Sequence, residues 1–284
     1  MNPGTSPRAA SLQGVSHYEN FPVATVLCPP HLRPAIAAIY WFARTADDIA
    51  DEGNALPQTR LNDLAAYRAD LLATAAGLPP SKRWAAVFAP LGAAITQFAL
   101  PVNLLVDLLS AFEQDVVKQR YASQAELFDY CRRSANPVGR LLLHLYGVKD
   151  AESLAQSDRV CTALQLINFW QDLGVDIARG RIYLPADSWA EHGVDEAQLL
   201  RLESNPSTIQ LIAAHARQAC AMMQKGSPLV RKVPGRGGWE LRLVVQGGLR
   251  ILDKFEALGF NTLQQRPKLG AWDVAVMGWR SLWM

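Results

Sequence analysis

No basic stripe, no cysteine framework and no histidine cluster runs through this chain of 284 residues. Its 28 lysines and arginines are scattered among 26 acidic residues, and a net charge of +2 leaves no charged face of the kind that binds nucleic acid. The four cysteines, Cys28, Cys131, Cys161 and Cys220, form no CxxC pair and are too sparse for a disulfide scaffold, so they read as thiols of a reducing, cytoplasmic compartment. His17, His31, His144, His192 and His215 lack metal-ligand spacing, which argues against zinc. The opening stretch MNPGTSPRAASLQG has no apolar core of signal-peptide length, and residues 1–15 read as a disordered lead. A repeat of 20 to 50 residues is absent, which excludes a solenoid.

Alternating β-branched runs are also scarce, whereas alanine and leucine recur at helical period. The expectation is an all-α chain of about eight to ten helices, a single bundle over residues 16–284. Pro34 opens a first long helix that Gly53 closes, and Arg60 to Ala76 forms a second. Trp84 to Val106 carries no charge and is long enough to span a bilayer. Pro90 and Pro101 break it, and Thr96, Gln97 and Asn103 would face lipid, so a buried helix pair is expected instead. Helices follow at Pro101 to Arg120, Gln124 to Cys131, Pro137 to Tyr146, Ser157 to Ile177, Thr208 to Lys225 and Glu240 to Leu258. The segment GRIYLPADSWAEHGV reads as a loop, and the glycines and basic residues of RKVPGRGG as a mobile surface loop.

Against this apolar background two aspartate pairs stand out, Asp47/Asp51 in ARTADDIADEG and Asp172/Asp176 in NFWQDLGVDIARG. Residues four apart share a helix face, so Tyr40, Arg44, Asp47 and Asp51 form one polar stripe, and Gln165, Asn168, Asp172 and Asp176 nearly repeat it. Read alone, either pair is an exposed turn with solvated charges. Two pairs in apolar helices, with Arg44, Arg179 and Arg181 close in sequence, call for a compensating cation. The DxDxDG spacing of a calcium loop is absent. Magnesium is commonly held by one or two carboxylates plus substrate phosphate, and helical aspartates four apart meet that need. Metal bridging a diphosphate makes it a better leaving group, and an apolar, aromatic-lined bundle keeps water from the carbocation left behind. Asp47, Asp51, Asp172 and Asp176 are the candidate Mg2+ ligands, with Asp48, which points about 100° away from Asp47, in a supporting position.

The same residues resemble the signatures of the squalene/phytoene synthase family, which joins prenyl diphosphates head to head. The first aspartate motif is similar to Arg44 through Asp51, and the second to the run from Gln165 through Asp176 to Gly180-Arg181-Ile182-Tyr183-Leu184-Pro185. Asp115 followed by Arg120-Tyr121, and Tyr130-Cys131 followed by Ala135 and Val138-Gly139, resemble two further family stretches. HYENFPVA, YCRRSANPVGR and NFWQD narrow the likeness to the hydroxysqualene-forming branch of hopanoid biosynthesis. The resemblance implies an isoprenoid-synthase-type helical bundle around a central active-site cavity. It also implies Mg2+-dependent conversion of presqualene diphosphate and water to hydroxysqualene and diphosphate, with substrate handed over by a sister presqualene diphosphate synthase. Condensation of farnesyl or geranylgeranyl diphosphate and a non-catalytic assembly role are the other readings; intact aspartate motifs argue against the last.

Within that frame Arg44 and Arg181 are expected to grip diphosphate oxygens, the alternative being surface ion pairs. Asn168 would ligate metal or phosphate and Gln165 orient it, unless both are satisfied core amides. Tyr40, Tyr130 and Tyr183 are candidates to stabilise the cation or donate to phosphate, or are plain core. Relatives usually read N-I-L-R-D where this chain has Phe169, Trp170 and Gln171 before Asp172. Gln171 and the Gly247-Gly248 gap are therefore expected either to position the capturing water or to adjust packing. Trp272, Trp279 and Trp283 share one helix face in the tail, which suits either peripheral contact with the inner face of a membrane or packing on the bundle.

Overall fold

The computed structural model describes residues 28–284, and the disordered lead expected over residues 1–15 lies outside them. Within the described residues the chain is all-α; the one β-type pairing is an isolated parallel bridge between Arg120 and Ile182. α1 (Arg33–Asp51) starts with Pro34 in its first turn, where a missing N–H costs nothing, and Gly53 follows its end at a φ of +75°. α2 (Pro57–Ala75), α3 (Ala85–Phe98) and α4 (Val102–Val117) pack with α1. Phe42 of α1 meets Tyr67 and Phe88 there, and the Tyr67 hydroxyl donates to the Phe42 carbonyl at 3.1 Å.

α5 (Gln124–Ser134) is capped by Ser123, and α6 (Asn136–Leu145) follows with Pro137 in its first turn. α7 (Ala151–Gln171), capped by Asp150, is the spine of the second half and packs on α5, α6, α11 (Pro206–Gly226) and α12 (Gly235–Ala257). Short helices α8 (Leu173–Ala178), α9 (Ala186–Glu191) and α10 (Glu196–Leu200) lie between α7 and α11, and α13 (Ala271–Ser281) closes the chain. Buried apolar residues form two large clusters, one centred on α1 to α4 and one on α7, α11 and α12. α6 joins them: Leu141 and Leu145 belong to the first cluster, and the helix packs on α7.

Four expectations need correction. Pro90 does not break its helix but lies inside α3, where it removes one backbone hydrogen bond; the chain turns instead at Ala99, with φ +48°, ahead of Pro101. The helix expected over Ser157 to Ile177 starts earlier, at Ala151, and is interrupted at Asp172, whose ψ of 13° leaves the helical region. Asp172 nevertheless accepts from the Asp176 N–H at 2.9 Å, so the four-residue spacing survives the break. The supposed mobile loop RKVPGRGG is mostly ordered structure: a 3-10 turn over Ser227–Arg231, then α12 from Gly235. Its glycines serve close packing, since a Cβ at Gly237 would lie 2.6 Å from the Tyr146 ring, and one at Gly238 2.6 Å from the Val233 carbonyl. The helices outnumber expectation because α8, α9 and α10, each five or six residues long, are too short to show a periodic pattern.

Candidate functional site

Along its central turns α7 buries all but one stripe, and on α1 the acidic stripe lies beside a buried apolar face. On α1, Ala35, Ala38, Ile39, Phe42, Ala46 and Ala50 are buried, while Tyr40, Arg44, Asp47 and Asp48 are half-buried and Asp51 is exposed. From Val160 to Gln171 every residue of α7 is buried except Gln165 and Asn168, and the half-buried Asp172 and Asp176 continue that stripe. The two acidic stripes meet across the seam between the apolar clusters, because Arg181, just past the second motif, pairs with Asp51 of the first at 2.5 Å. Arg181 is held there by its surroundings. The Ile182 N–H donates to the Gln119 carbonyl at 3.0 Å, the Ala186 N–H to the Tyr121 carbonyl at 2.9 Å, and Arg120 donates to the Gly180 carbonyl at 2.5 Å.

Arginines pair with three of the four motif carboxylates. Arg44 donates to Asp47 at 3.1 Å and lies 2.7 Å from both Asp48 and Glu52. Arg266 forks onto both oxygens of Asp172, 3.0 Å from Oδ2. Asp176 has Asp172 as a like-charged neighbour; withdrawal from water, then Asp172, pushes its carboxyl up to about 7 against the pull of Arg181, Arg179 and Arg266. Among the described residues no three His, Cys, Asp or Glu side chains converge to enclose an ion alone. The donor set still fits magnesium, which takes one or two carboxylates at a time and completes its shell with water and phosphate oxygens. Asp47 with Asp51, and Asp172 with Asp176, are the residues that would hold it.

Beside the acids lies an aromatic wall. Tyr183 stacks on Phe169 with ring centroids 3.8 Å apart, Tyr121 and Tyr130 adjoin them, and the Tyr130 hydroxyl donates to Asp115 at 2.8 Å. Withdrawal from water pushes the Asp115 carboxyl up to about 7; Asp47 and Asp51 add to this, while the Tyr130 hydrogen bond and Arg181 oppose it. Tyr130 and Tyr183 thus sit together near the motifs, whereas Tyr40 lies on α1 one turn before Arg44, edge-on to Trp41 at 5.3 Å.

An apolar cavity opens between α1, α6, α7 and α12. Ile36, Leu142, Val160, Leu164, Leu241 and Val244 line it. Ile36 lies one turn before Tyr40 on the α1 stripe, and Leu164 one turn before Asn168 on α7, so acidic and apolar regions follow the same two helices. Gln171 is not among the lining residues; it is buried, and its Nε2 donates to the Pro267 carbonyl at 2.8 Å. Gly248 leaves no gap either, since a Cβ there would meet Met223 at 2.8 Å and Leu164 at 3.1 Å, while Gly247 faces Met277. The packing alternative therefore describes Gly248, whereas a Cβ at Gly247 would make only ordinary contact with Met277, at 3.5 Å.

Asp115, Tyr121, Phe169 and Arg266 adjoin the site without having been assigned to it from sequence. Asp115 and Tyr121 fall in a recognisable family stretch, and Phe169 lies one residue past Asn168. Arg266 carries no local signal, because it reaches Asp172 from 94 residues away.

Comparison with known proteins gives concordant results. The Squalene/phytoene synthase family profile matches residues 15–273. Hydroxysqualene synthase of Sinorhizobium fredii is 34% identical over 259 residues, covering 91% of this chain and 84% of that protein. The Zymomonas mobilis protein of the same name is 37% identical over 224 residues, 77% of this chain and 72% of its own. A crystal structure of a squalene synthase from Alicyclobacillus acidocaldarius superposes with a TM-score of 0.80 at 35% identity, covering 87% of this chain and 91% of that one.

The raised carboxyls imply a pH signature in the metal-free protein. Unfolded, Asp115 and Asp176 titrate near 3.8; folded, near 7. Across that window the unfolded chain releases protons that the folded protein keeps, so the stability these groups contribute is present below it and lost as pH rises through it. The expected result of melting curves without metal is that Asp115→Asn gains stability relative to the parent from about pH 5 to about pH 7.5. Parallel pH slopes for the two proteins would contradict the assignment.

Proposed function

The chain belongs to the squalene/phytoene synthase family of isoprenoid biosynthesis, and from that premise we propose that it converts presqualene diphosphate and water to hydroxysqualene and diphosphate. The observation that carries this reading is the continuity of two acidic helix stripes with one apolar cavity. An amphiphile with a diphosphate head and long hydrocarbon arms matches both regions at once. The hydroxysqualene synthases of S. fredii and Z. mobilis, more similar in sequence than the presqualene diphosphate synthase of Rhodopseudomonas palustris at 28%, favour hydration over condensation.

Mg2+, held by Asp47, Asp51, Asp172 and Asp176, would neutralise charge developing on the departing diphosphate. The protein's own groups do the rest. Arg44 and Arg181, which pair with motif carboxylates, have guanidinium forks that would turn to diphosphate oxygens. Asn168 and Gln165 present amides from the α7 stripe to the same region. The wall of Phe169, Tyr183, Tyr130 and Tyr121 offers π faces to the hydrocarbon cation and restricts water. Ionisation breaks the carbon–oxygen bond with its electrons leaving on diphosphate; the rearranged cation then takes one water and releases one proton. Substrate would come from a sister synthase that makes presqualene diphosphate.

A lipophilic substrate and product also give meaning to the tail. No described helix is long and apolar enough to cross a membrane. α13 instead docks on α12 by its polar side: buried Asp273 binds Arg250 at 2.7 Å and Lys254 at 2.9 Å, and Arg280 reaches Asp253 at 2.7 Å. The other side faces outward, with Trp272 77%, Trp279 64% and Trp283 75% exposed, and Trp239 of α12 is 43% exposed beneath Arg242. Residues 231–284 carry nine lysines and arginines against four acidic residues, an excess greater than that of the whole chain. Tryptophans beside an excess of cations suit the interface of an anionic bilayer.

Two assays test these statements. Incubated with Mg2+, the purified protein should release hydroxysqualene from presqualene diphosphate and leave farnesyl diphosphate untouched; efficient turnover of farnesyl diphosphate would favour condensation. In flotation with phosphatidylglycerol vesicles, the protein should rise with the lipid, and replacing Trp272, Trp279 and Trp283 by serine should leave it at the bottom of the gradient. Flotation of that variant equal to the parent's would reject the membrane contact.

A further inference from the structure

At the end away from the acids, the apolar cavity stops at a partition with a second pocket behind it. Cys28 and Tyr146 line both spaces, with Gly237 and Glu240 on the inner side and Pro30, His31 and Arg236 on the outer. Tyr146 caps the end of α6, and its ring lies against the start of α12, where a Cβ at Gly237 would be 2.6 Å from it. Its hydroxyl and the Cys28 thiol are in hydrogen-bond contact. The distance from the acids follows from the helices. Ile36 and Ser157 line the cavity, and at 1.5 Å per residue they lie about 16 Å from Asp47 along α1 and about 22 Å from Asp172 along α7.

The outer pocket stands beside the tryptophan face. At about 100° per residue around α12, Arg236 falls between Gly237, Glu240 and Val244, which line the cavity, and Trp239, which is exposed beneath Arg242. The end of α13 reaches this half of α12: Arg242 donates to the Ser281 carbonyl at 3.2 Å, and Gln246 donates to the Met284 sulfur at 2.9 Å. Exposed Trp283 lies between those two anchors in sequence.

We propose that the outer pocket is a lipid-side portal: Tyr146 swings off Gly237, joins the pocket to the cavity, and lets the hydrocarbon product pass into the bilayer. This rests on the proposed reaction and membrane contact. The other way out is the acidic mouth, past Arg44, Arg181 and Arg266 and into water. Each methylene exposed to water makes escape about fourfold less favourable, a penalty that compounds along two long arms. Through the portal the same methylenes pass from an apolar cavity to apolar lipid. Opening is easy, because the ring is only half-buried and its polar partner is a thiol, a weak hydrogen-bonding group.

Rates with Mg2+ and presqualene diphosphate separate chemistry from release. Enzyme in excess reports a single turnover, and substrate in excess reports a steady state that product departure limits. In the full-length parent, phosphatidylglycerol vesicles should raise the steady-state rate several-fold and leave the single turnover unchanged. His31→Trp, which fills the outer pocket from an exposed position, should cut the vesicle-stimulated rate several-fold, again with the single turnover unchanged. Tyr146→Phe, which keeps the ring but loses its hold on Cys28, should raise the ratio of steady-state to single-turnover rate. A merely structural role would slow both rates together. A steady state in His31→Trp equal to the parent's, or parent rates that coincide without vesicles, would overturn the portal while leaving the reaction intact. A parent that floats with vesicles yet is not stimulated by them would do the same. No product in the single turnover would overturn the proposed reaction and this inference with it.

Discussion

Negative charge concentrated at the seam between two apolar clusters is the constraint around which this molecule is arranged. Two aspartates on α1 and two at the junction of α7 and α8, with Asp115 and Asp48 close by, repel one another and lose hydration. Guanidinium groups drawn from three places balance them: Arg44 from within the first motif, Arg181 from just past the second, and Arg266 from the segment between α12 and α13. Asp115 and Asp176 remain under-compensated, and their raised carboxyls are the physical trace of that deficit. A site with this imbalance favours a ligand that brings its own divalent cations.

The rest of the fold serves that seam. α7 buries nearly every central side chain except its polar stripe, and α1 seats Ala38, Ile39, Phe42, Ala46 and Ala50 in the core, so the register of each helix is fixed by its apolar side and its acids are aimed as a consequence. The same two helices line the apolar cavity through Ile36 and Leu164, so the proposed substrate would lie with its hydrocarbon and its diphosphate along one axis. Phe169, Tyr183, Tyr130 and Tyr121 pack as a buried aromatic cluster beside the acids, tied to Asp115 through the Tyr130 hydroxyl. The segment between α12 and α13, anchored at Gly174 and Gln171, covers the motif from the α12 side.

Much of this was legible in the sequence, and the reasons differ by feature. The all-α class followed from periodicity, and the aspartate stripes from four-residue spacing, because both are local properties of one helix. Capped or proline-started helices such as α1 were placed well. Pro90 misled because one lost hydrogen bond is tolerated in a helix packed on neighbours, and RKVPGRGG misled because glycines that signal a loop also permit close approach. Gln171 and Arg266 were out of reach for a different reason. Their partners lie about ninety residues away in the chain, and a contact of that span leaves no periodic mark. The family resemblance supplied Arg181 and Tyr183, whose placement depends on the pairing of Arg120 with Ile182.

The central claim, that two helices contribute to one magnesium–diphosphate centre, has a direct crystallographic test. Crystals grown with Mn2+ and inorganic diphosphate, measured at the manganese absorption edge, locate the ions without reference to any product. The expected map has anomalous peaks bonded to carboxylates of both the Asp47/Asp51 and Asp172/Asp176 pairs and bridged by diphosphate, with Arg266 withdrawn from Asp172. Ions confined to one pair, or diphosphate bound while Asp47, Asp51 and Asp172 keep their arginine partners, would contradict it.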